Sequence, residues 1–421
     1  MITFNQKVIM KNIVKKSILK LKPSSTLVIN EKSKELIDKG KKVYQFGFGQ
    51  SPFPVPEKIV TALKDNAHKK EYLPIQGLPK LREAISNYLL KKTGVLYPKE
   101  NILITPGSKE AMLLMHIAFD GEIILPAPSW VSYEPQAQIG LNKVHWLQTS
   151  RENHWFPTPQ ELENKIKSIG KNKNIILIIN SPNNPSGTTC KNLKDLAAIA
   201  KKYEIIILSD EIYTDLTFCN KYDSISKYYP EATFLSGGLS KWCGAGGWRL
   251  GFFAVPNKLS SFLENLKSLA SESYSTVNTP VQYAAVEAYN GNYNTYKKNV
   301  IKILSSLGNY VFNNLKSNKV LISKPQGAFY LMPEFLNNKY KSSTELCDAI
   351  LHETGVAMLP ASDFGFETNR MMTRLSYTDF DGTEFLKNTL NEEVISDKII
   401  KKYAPNVVEG VKKLSIWAKK L

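Results

Sequence analysis

The sequence predicts an α/β protein with parallel strands. Three observations carry that expectation. From Asn101 onward, short apolar strands, small-residue turns and helix-period stretches alternate. Two runs, Asn174 to Asn180 and Glu204 to Ser209, are almost wholly apolar rather than alternating, as strands covered on both faces are. At 421 residues the chain is too long for one ordinary core and predicts about two domains.

Composition excludes several function classes. The 43% hydrophobic content is that of a soluble globular chain. Net charge is +17, but nearly all of it is Lys spread along the chain, and arginine occurs only at Arg82, Arg151, Arg249, Arg370 and Arg374. A spread of lysine, with abundant Asn and Ile, reads as compositional bias, so a nucleic-acid partner is not expected. Cys190, Cys219, Cys243 and Cys347 form no CxxC and have no metal-ligand spacing, and the five histidines show no HExxH. Bound metal is therefore not expected, and four free thiols suit a reducing cytoplasm. No apolar run approaches the roughly 18 residues of a membrane span. The first 20 or so residues lack acids and alternate Lys with Ile, Val and Leu; without Arg and Ser enrichment they read as a basic arm rather than a transit peptide.

Taken in order, Lys22-Pro23-Ser24-Ser25 breaks the N-terminal segment, and Leu27 to Leu36 is a short helix. Tyr44 to Pro56 is a strand entering a Gly/Pro loop, where Gly49 lets the backbone approach a ligand. Glu57 to Asn66 is a helix; Tyr72 to Leu78 is a loop, and a helix starts near Pro79. Ile102 to Thr105 is a strand, and Pro106-Gly107-Ser108 turns it into the helix Lys109 to Ala118. That helix start points free N–H groups at an anion, so Gly107, Ser108 and Lys109 are phosphate-cradle candidates. Glu122 to Leu125 is a strand followed by Trp130, an aromatic that can lie on a planar ligand; taken alone it reads as core. Lys143 to Leu147 is a further strand. Asn174 to Asn180 ends in Ser181-Pro182-Asn183-Asn184-Pro185-Ser186-Gly187, aiming Asn184 into the crevice where open α/β sheets bind ligands.

Leu193 to Tyr203 is a helix, and the strand Glu204 to Ser209 ends at Asp210-Glu211-Ile212-Tyr213. A carboxylate at the end of a buried strand needs a partner, and a helix cap is the plain alternative. The strand Ala232 to Ser236 then runs through Gly237-Gly238-Leu239-Ser240 to Lys241, with Arg249 eight residues on. A lone lysine after small residues, with a guanidinium nearby, suits a Schiff base to a phosphate-bearing aldehyde. Leu250 to Val255 is an apolar run. Ser260 to Tyr289 is helical with a break near Asn278-Thr279-Pro280, and Tyr293 to Leu315 is a long amphipathic helix. Lys324 to Leu331 is a strand, Ser343 to Glu353 a helix, and Met371 to Tyr377 a strand with one inward charge, Arg374. An arginine in a chain that prefers lysine points to bidentate geometry. Beyond Asp379 the tail is amphipathic helix.

The order Tyr72, Gly107-Ser108-Lys109, Trp130, Asn184, Asp210 and Tyr213, Lys241, Arg249, Arg374 resembles the class I/II aminotransferases, the aspartate aminotransferase-like fold-type-I family that uses pyridoxal 5'-phosphate (PLP). The resemblance covers nearly the whole chain. It implies a large domain with a mostly parallel seven-stranded sheet and a small α+β domain made from both chain ends. The expected division is 1–50 as arm and part of the small domain, 51–300 as the PLP-binding domain and 301–421 as the small domain. It implies a homodimer in which Tyr72 reaches the partner's PLP phosphate. By the same resemblance Lys241 holds PLP as a Schiff base and moves the α-proton, Asp210 pairs with the pyridinium nitrogen, and Tyr213 and Asn184 meet the phenolic oxygen. Trp130 stacks on the ring; Gly107, Ser108, Lys109, Ser240 and Arg249 belong to the cofactor cradle. Arg374 anchors the substrate carboxylate, with Gly49 and Asn184 beside it. The implied reaction moves an amino group from an α-amino acid to a 2-oxo acid by a ping-pong course.

Two positions depart from the family pattern. Gly238 stands where the family often has a Ser or Thr phosphate ligand, leaving Ser236 or Ser240 to substitute, and Gln50 stands where an acid is more frequent. The motifs do not separate a transaminase from a PLP-dependent β-lyase, synthase or oxidase; a non-catalytic PLP-binding regulator is disfavoured, because the residues before the glycine loop show no helix-turn-helix pattern. No second cation for a dicarboxylate is assigned: Lys, Ser and Tyr crowd Lys267 to Thr276, where the family places such contacts, and aspartate, aromatic and neutral donors stay open.

Overall fold

The computed structural model describes residues 13–19, 21, 25–170, 173–218, 222–337 and 339–421. Most of the basic N-terminal segment, the break at Lys22-Pro23-Ser24 and Cys219 lie outside the described residues.

Seven strands form the central sheet: β1 (Ile102–Thr105), β2 (Glu122–Ala127), β3 (Lys143–Gln148), β4 (Ile175–Asn180), β5 (Ile206–Asp210), β6 (Thr233–Gly238) and β7 (Gly251–Ala254). Their spatial order is β1-β7-β6-β5-β4-β2-β3. Only β7 runs against its neighbours, β1 and β6. Six strands therefore end at one edge of the sheet, and β7 begins there.

Helices cover both faces, which explains the unbroken apolar strands: every residue of β4 is buried. Ile176, Ile178 and Leu208 pack into a core with the helices Ser108–Ala118 and Ser260–Ser273. Leu177, Ile179 and Ile207 face the opposite way, onto the helices Pro159–Ile169 and Leu193–Lys202. The break expected inside 260–289 separates Ser260–Ser273 from Thr279–Asn290, and the Asn278 side chain caps the second helix.

A second set of strands is short. Thr373–Ser376 pairs antiparallel with Tyr330–Leu331 and with Leu359–Pro360. The N-terminal segment joins it: the Tyr44 amide donates to the Gly355 carbonyl at 2.8 Å, and the Ser376 amide to that of Phe46 at 2.8 Å. The long helix Asn294–Leu315 packs on this part as well as on the segment after β5.

Some expected boundaries move. Tyr44 forms a single bridge to Val356 rather than a strand. The strand expected over 324–331 shrinks to Tyr330–Leu331, because Pro325 has no N–H to pair and Ala328 has φ +56°. Glu204 has φ +54°, so β5 starts later than expected. Two helices went unread, Tyr133–Ile139 and Pro159–Ile169. The second carried a legible signal, a capping box between Thr158 and Glu161 with Pro159 at the first position. Among the described residues no helix is long and apolar enough to cross a membrane.

Candidate active site

The strand ends and the segment before β7 deliver their polar residues to one cavity of about 540 Å³, a size usual for a small-ligand site. β1 leads to Ser108 and Lys109, β2 to Trp130, β4 to Asn184, β5 to Asp210 and Tyr213, and β6 to Ser240 and Lys241; Arg249 precedes β7. Gly49 comes from the N-terminal loop and Arg374 from Thr373–Ser376. Of the sequence-predicted residues, two do not line the cavity. Gly107 lies just behind it, with φ +84° and so little room that a Cβ there would sit 2.3 Å from Arg249 Nη2. Tyr72 is 89% exposed on this chain's surface.

Lys241 occupies the middle. Its Nζ donates to the Gly49 carbonyl at 2.6 Å and lies 5.5 Å from the Tyr213 ring centre. Gly49 is tightly placed: a Cβ there would fall 2.2 Å from the Tyr330 hydroxyl. Burial pulls the lysine down to about 8, helped by the Arg374 charge and opposed by Asp210. An amine in that range is partly neutral near pH 7–8 and so nucleophilic.

Asp210 is buried at the floor. The Tyr133 hydroxyl donates to Oδ2 at 2.7 Å, and Ser236 Oγ and the Ile212 amide donate to Oδ1 at 3.2 and 3.3 Å. Burial nevertheless raises its carboxyl above the usual range, which is the state of a buried anion short of a cation. The Tyr213 hydroxyl shares a 2.8 Å hydrogen bond with Tyr330 and accepts from Asn184 Nδ2 at 3.5 Å; burial holds its pKa well above the usual value.

Two ends of the cavity suit anions. At one, the Ser108–Ala118 helix presents its N terminus beside Arg249, whose Nη1 and Nη2 donate to the carbonyls of Gly246 and Pro106 at 2.9 and 3.0 Å. Gly238 cannot supply a hydroxyl there: a Cβ would lie 2.7 Å from the Leu250 carbonyl oxygen and 2.9 Å from Gly251 Cα. Ser236 is committed to Asp210, so of the two substitutes only Ser240 lines the cavity. At the other end Arg374, 3% exposed, donates to Asn184 Oδ1 at 3.2 Å and to the Gly47 carbonyl at 2.5 Å. Its Nε is buried without a hydrogen-bond partner. Lys109 Nζ sits 5.1 Å from the Trp130 ring centre, and burial, then Arg249, pull its pKa down.

These residues fit pyridoxal phosphate. The set combines a depressed amine for an aldehyde, a helix N terminus with a guanidinium for a phosphate, and a buried carboxylate lacking a cation for a ring N–H. The orphaned Arg374 Nε is left for a carboxylate. Sequence reading missed Tyr133 and Tyr330, which position Asp210 and Tyr213, and also Asn180, whose Oδ1 accepts from the Asn184 amide at 2.7 Å. None of residues 267–276 lines the cavity.

Comparison with known proteins gives the family and the fold. The profile of the family described as aminotransferase class I and II matches residues 41–385. An aspartate aminotransferase of Geobacillus stearothermophilus is 33% identical over 387 residues, 88% of this chain and 95% of that protein. An asparagine–oxo-acid transaminase of Streptococcus mutans is 30% identical over 377 residues, 86% of this chain and 93% of that protein. In fold, the aspartate aminotransferase of Thermus thermophilus matches with a TM-score of 0.84 at 24% identity, covering 96% of this chain and all of that one.

Proposed function

This chain belongs to the class I and II aminotransferases, the PLP-dependent enzymes that move an amino group from an α-amino acid to a 2-oxo acid, and from that premise we propose aspartate as its donor. The observation that carries the proposal is the count of cations at the cavity. Arg249 faces the phosphate end, Arg374 the α-carboxylate, and Lys241 does the chemistry. Lys109, which the resemblance puts in the cofactor cradle, lies with its Nζ 5.1 Å from the Trp130 ring centre, and we reassign this fourth lining cation to a second carboxylate. The relatives named for aspartate and asparagine support the same short, polar side chain.

In this reading the cofactor is held by Lys241 at its aldehyde, by the Ser108 helix N terminus, Ser240 and Arg249 at its phosphate, by Asp210 at its ring nitrogen and by Trp130 on its face. When bound, pyridoxal phosphate supplies a sink for the electrons of the broken Cα–H bond. The protein does the rest. Arg374 grips the substrate α-carboxylate through a rigid fork. Lys241, with a pKa near 8, takes the α-proton and returns it on the far side of the transfer. Asp210, with Tyr133 and Ser236 holding its oxygens, keeps a proton on the ring nitrogen, and Tyr213 donates to the phenolic oxygen. The expected kinetics are ping-pong, in a cytoplasmic homodimer whose exposed Tyr72 enters the partner's site. We also propose 51–300 as the cofactor-binding domain, with 1–50 and 301–421 forming the smaller one.

The test is the visible spectrum of the PLP-loaded protein titrated with single amino acids in the absence of an acceptor. Aspartate should bleach the band and a 2-oxo acid should restore it. Lys109→Met should raise the KM for aspartate roughly tenfold to a hundredfold, the worth of a charged hydrogen bond, while sparing alanine. Bleaching by an aromatic or neutral amino acid alone would replace aspartate as donor, and a protein that forms no band with PLP would remove Lys241 from the role given to it.

A further inference from the structure

A second, half-buried charge cluster lies behind the end of β6, outside the catalytic cavity. Asp215 takes Lys92 Nζ on Oδ1 at 2.7 Å and Lys297 Nζ on Oδ2 at 3.1 Å, and the Tyr88 hydroxyl donates to Oδ2 at 2.7 Å. Lys92 spends its other two protons on Tyr88 Oη and Thr214 Oγ1, each at 2.7 Å. Lys297 Nζ also stands 4.2 Å from the centre of the Trp242 ring, a cation–π contact. The cluster joins four places in the chain. Lys92 ends the helix Pro79–Thr93, and Lys297 begins the helix Asn294–Leu315. Thr214 follows Tyr213, and Trp242 follows Lys241.

Buried ion pairs add little net stability, because desolvation offsets their attraction; their attested use is to fix geometry. Here the geometry fixed is that of the two residues next to the reacting groups. Resting on the reading above, we propose that Lys297, Asp215 and Lys92 are positioning residues for catalysis, holding Lys241 through Trp242 and Tyr213 through Thr214, so that the amine and the phenol keep register with each other.

The test uses PLP-loaded protein and reads the pH midpoint of its visible band, which depends on how Lys241 and Tyr213 sit relative to each other. Asp210, Arg249, Arg374 and Lys109, the charged groups facing Lys241, are left intact. Lys297→Met should move the midpoint by about half a pH unit or more and lower kcat roughly tenfold with donor KM little changed. Lys297→Arg, which keeps a cation over the indole and within reach of Asp215, should restore both. Trp242→Phe gives the same readout if Lys297→Met does not fold. A wild-type midpoint and kcat in folded variants, with only the melting temperature lowered, would overturn the proposal by reducing the cluster to a stability element. Absence of a visible band in the wild-type protein would instead sink the PLP reading, and this inference with it.

Discussion

The catalytic cavity and the half-buried Asp215 cluster are both charged, and they are wired in opposite ways. At Asp215 the charges are matched: one carboxylate lies between two ammonium groups, each Lys92 proton has an acceptor, and Asp215 is held far below the usual carboxylate range. Burial still pulls Lys92 down, which marks the desolvation the pair bears. In the cavity the charges are left wanting. Asp210 accepts from two hydroxyls and an amide, and its carboxyl is raised; Lys241 meets a carbonyl and is lowered; Arg374 keeps a buried N–H without a partner. The cluster is finished by the protein itself, whereas the cavity, in the function proposed above, is finished by a cofactor carrying a ring N–H, an aldehyde and a phosphate and by a substrate carboxylate. The contrast is sharpest at the two carboxylates: burial pushes Asp210 toward its neutral form, whereas its two ammonium partners hold Asp215 in its charged one.

That contrast breaks most visibly with substitutions on each side. Lys241→Ala should reduce transamination by roughly four or more orders of magnitude, the scale for loss of a nucleophile that is also the base, while bound PLP remains detectable by its absorbance. Unchanged turnover would remove the central assignment. Next in size, Asp215→Asn leaves two half-buried lysines without a carboxylate and should cost up to about 3 kcal/mol of stability in denaturant unfolding. Asp210→Asn, measured without cofactor, should cost far less, because burial already disfavours the charge it removes. Equal losses at the two positions would erase the distinction drawn between them. Asp215 also sets an acid-side slope. Its folded pKa is lowered, so its stabilisation is complete above the unfolded value near 3.9 and fades as pH falls below it; Asp215→Asn should flatten that slope.

The two regions were also unequally legible in the sequence. The cavity announced itself because its residues follow strand ends, where an apolar run stops at Asp210, at Asn184 or before Lys241. A parallel sheet places such ends at one edge whatever the loops do. Tyr133 was not legible: it lies 77 residues from Asp210, on a short helix without a clear start signal, and only the fold brings its hydroxyl to the carboxylate. Tyr330 was visible as part of a strand, but its bond to Tyr213 was not. Lys92 and Lys297 were hidden by composition. In a chain this rich in lysine, two that turn inward have no local mark, and their partner, Asp215, sits in a 3₁₀ turn rather than at a strand end. Gly238 was legible as a departure, and the structure supplies its reason, since the backbone of Leu250 and Gly251 fills the space of a side chain.

Within the cavity, Arg374→Lys should raise donor KM roughly tenfold to a hundredfold with kcat less affected, because an ammonium cannot reproduce the fork that grips a carboxylate. An unchanged KM would move the carboxylate anchor elsewhere. Such a loss is smaller than that from Asp215→Asn because the site is built to lack a ligand, so the fold does not depend on the fork.

The pH dependence of stability isolates the cavity's unfinished state most directly. In the cofactor-free protein Lys241 has a folded pKa of about 8, against roughly 10.4 when unfolded. Between those values the unfolded chain binds more protons than the folded one, so stability rises with pH across that window, and the penalty is fully present below pH 8. Lys241→Met keeps the stem and removes the charge. It should therefore be more stable than the wild-type apoprotein at pH 7, by about 1 M in urea midpoint, and that advantage should shrink as pH passes 8 and be nearly gone above 10. An advantage that grew with pH would mean that folding stabilises the Lys241 charge, and the cavity would then be a finished cluster like the one around Asp215.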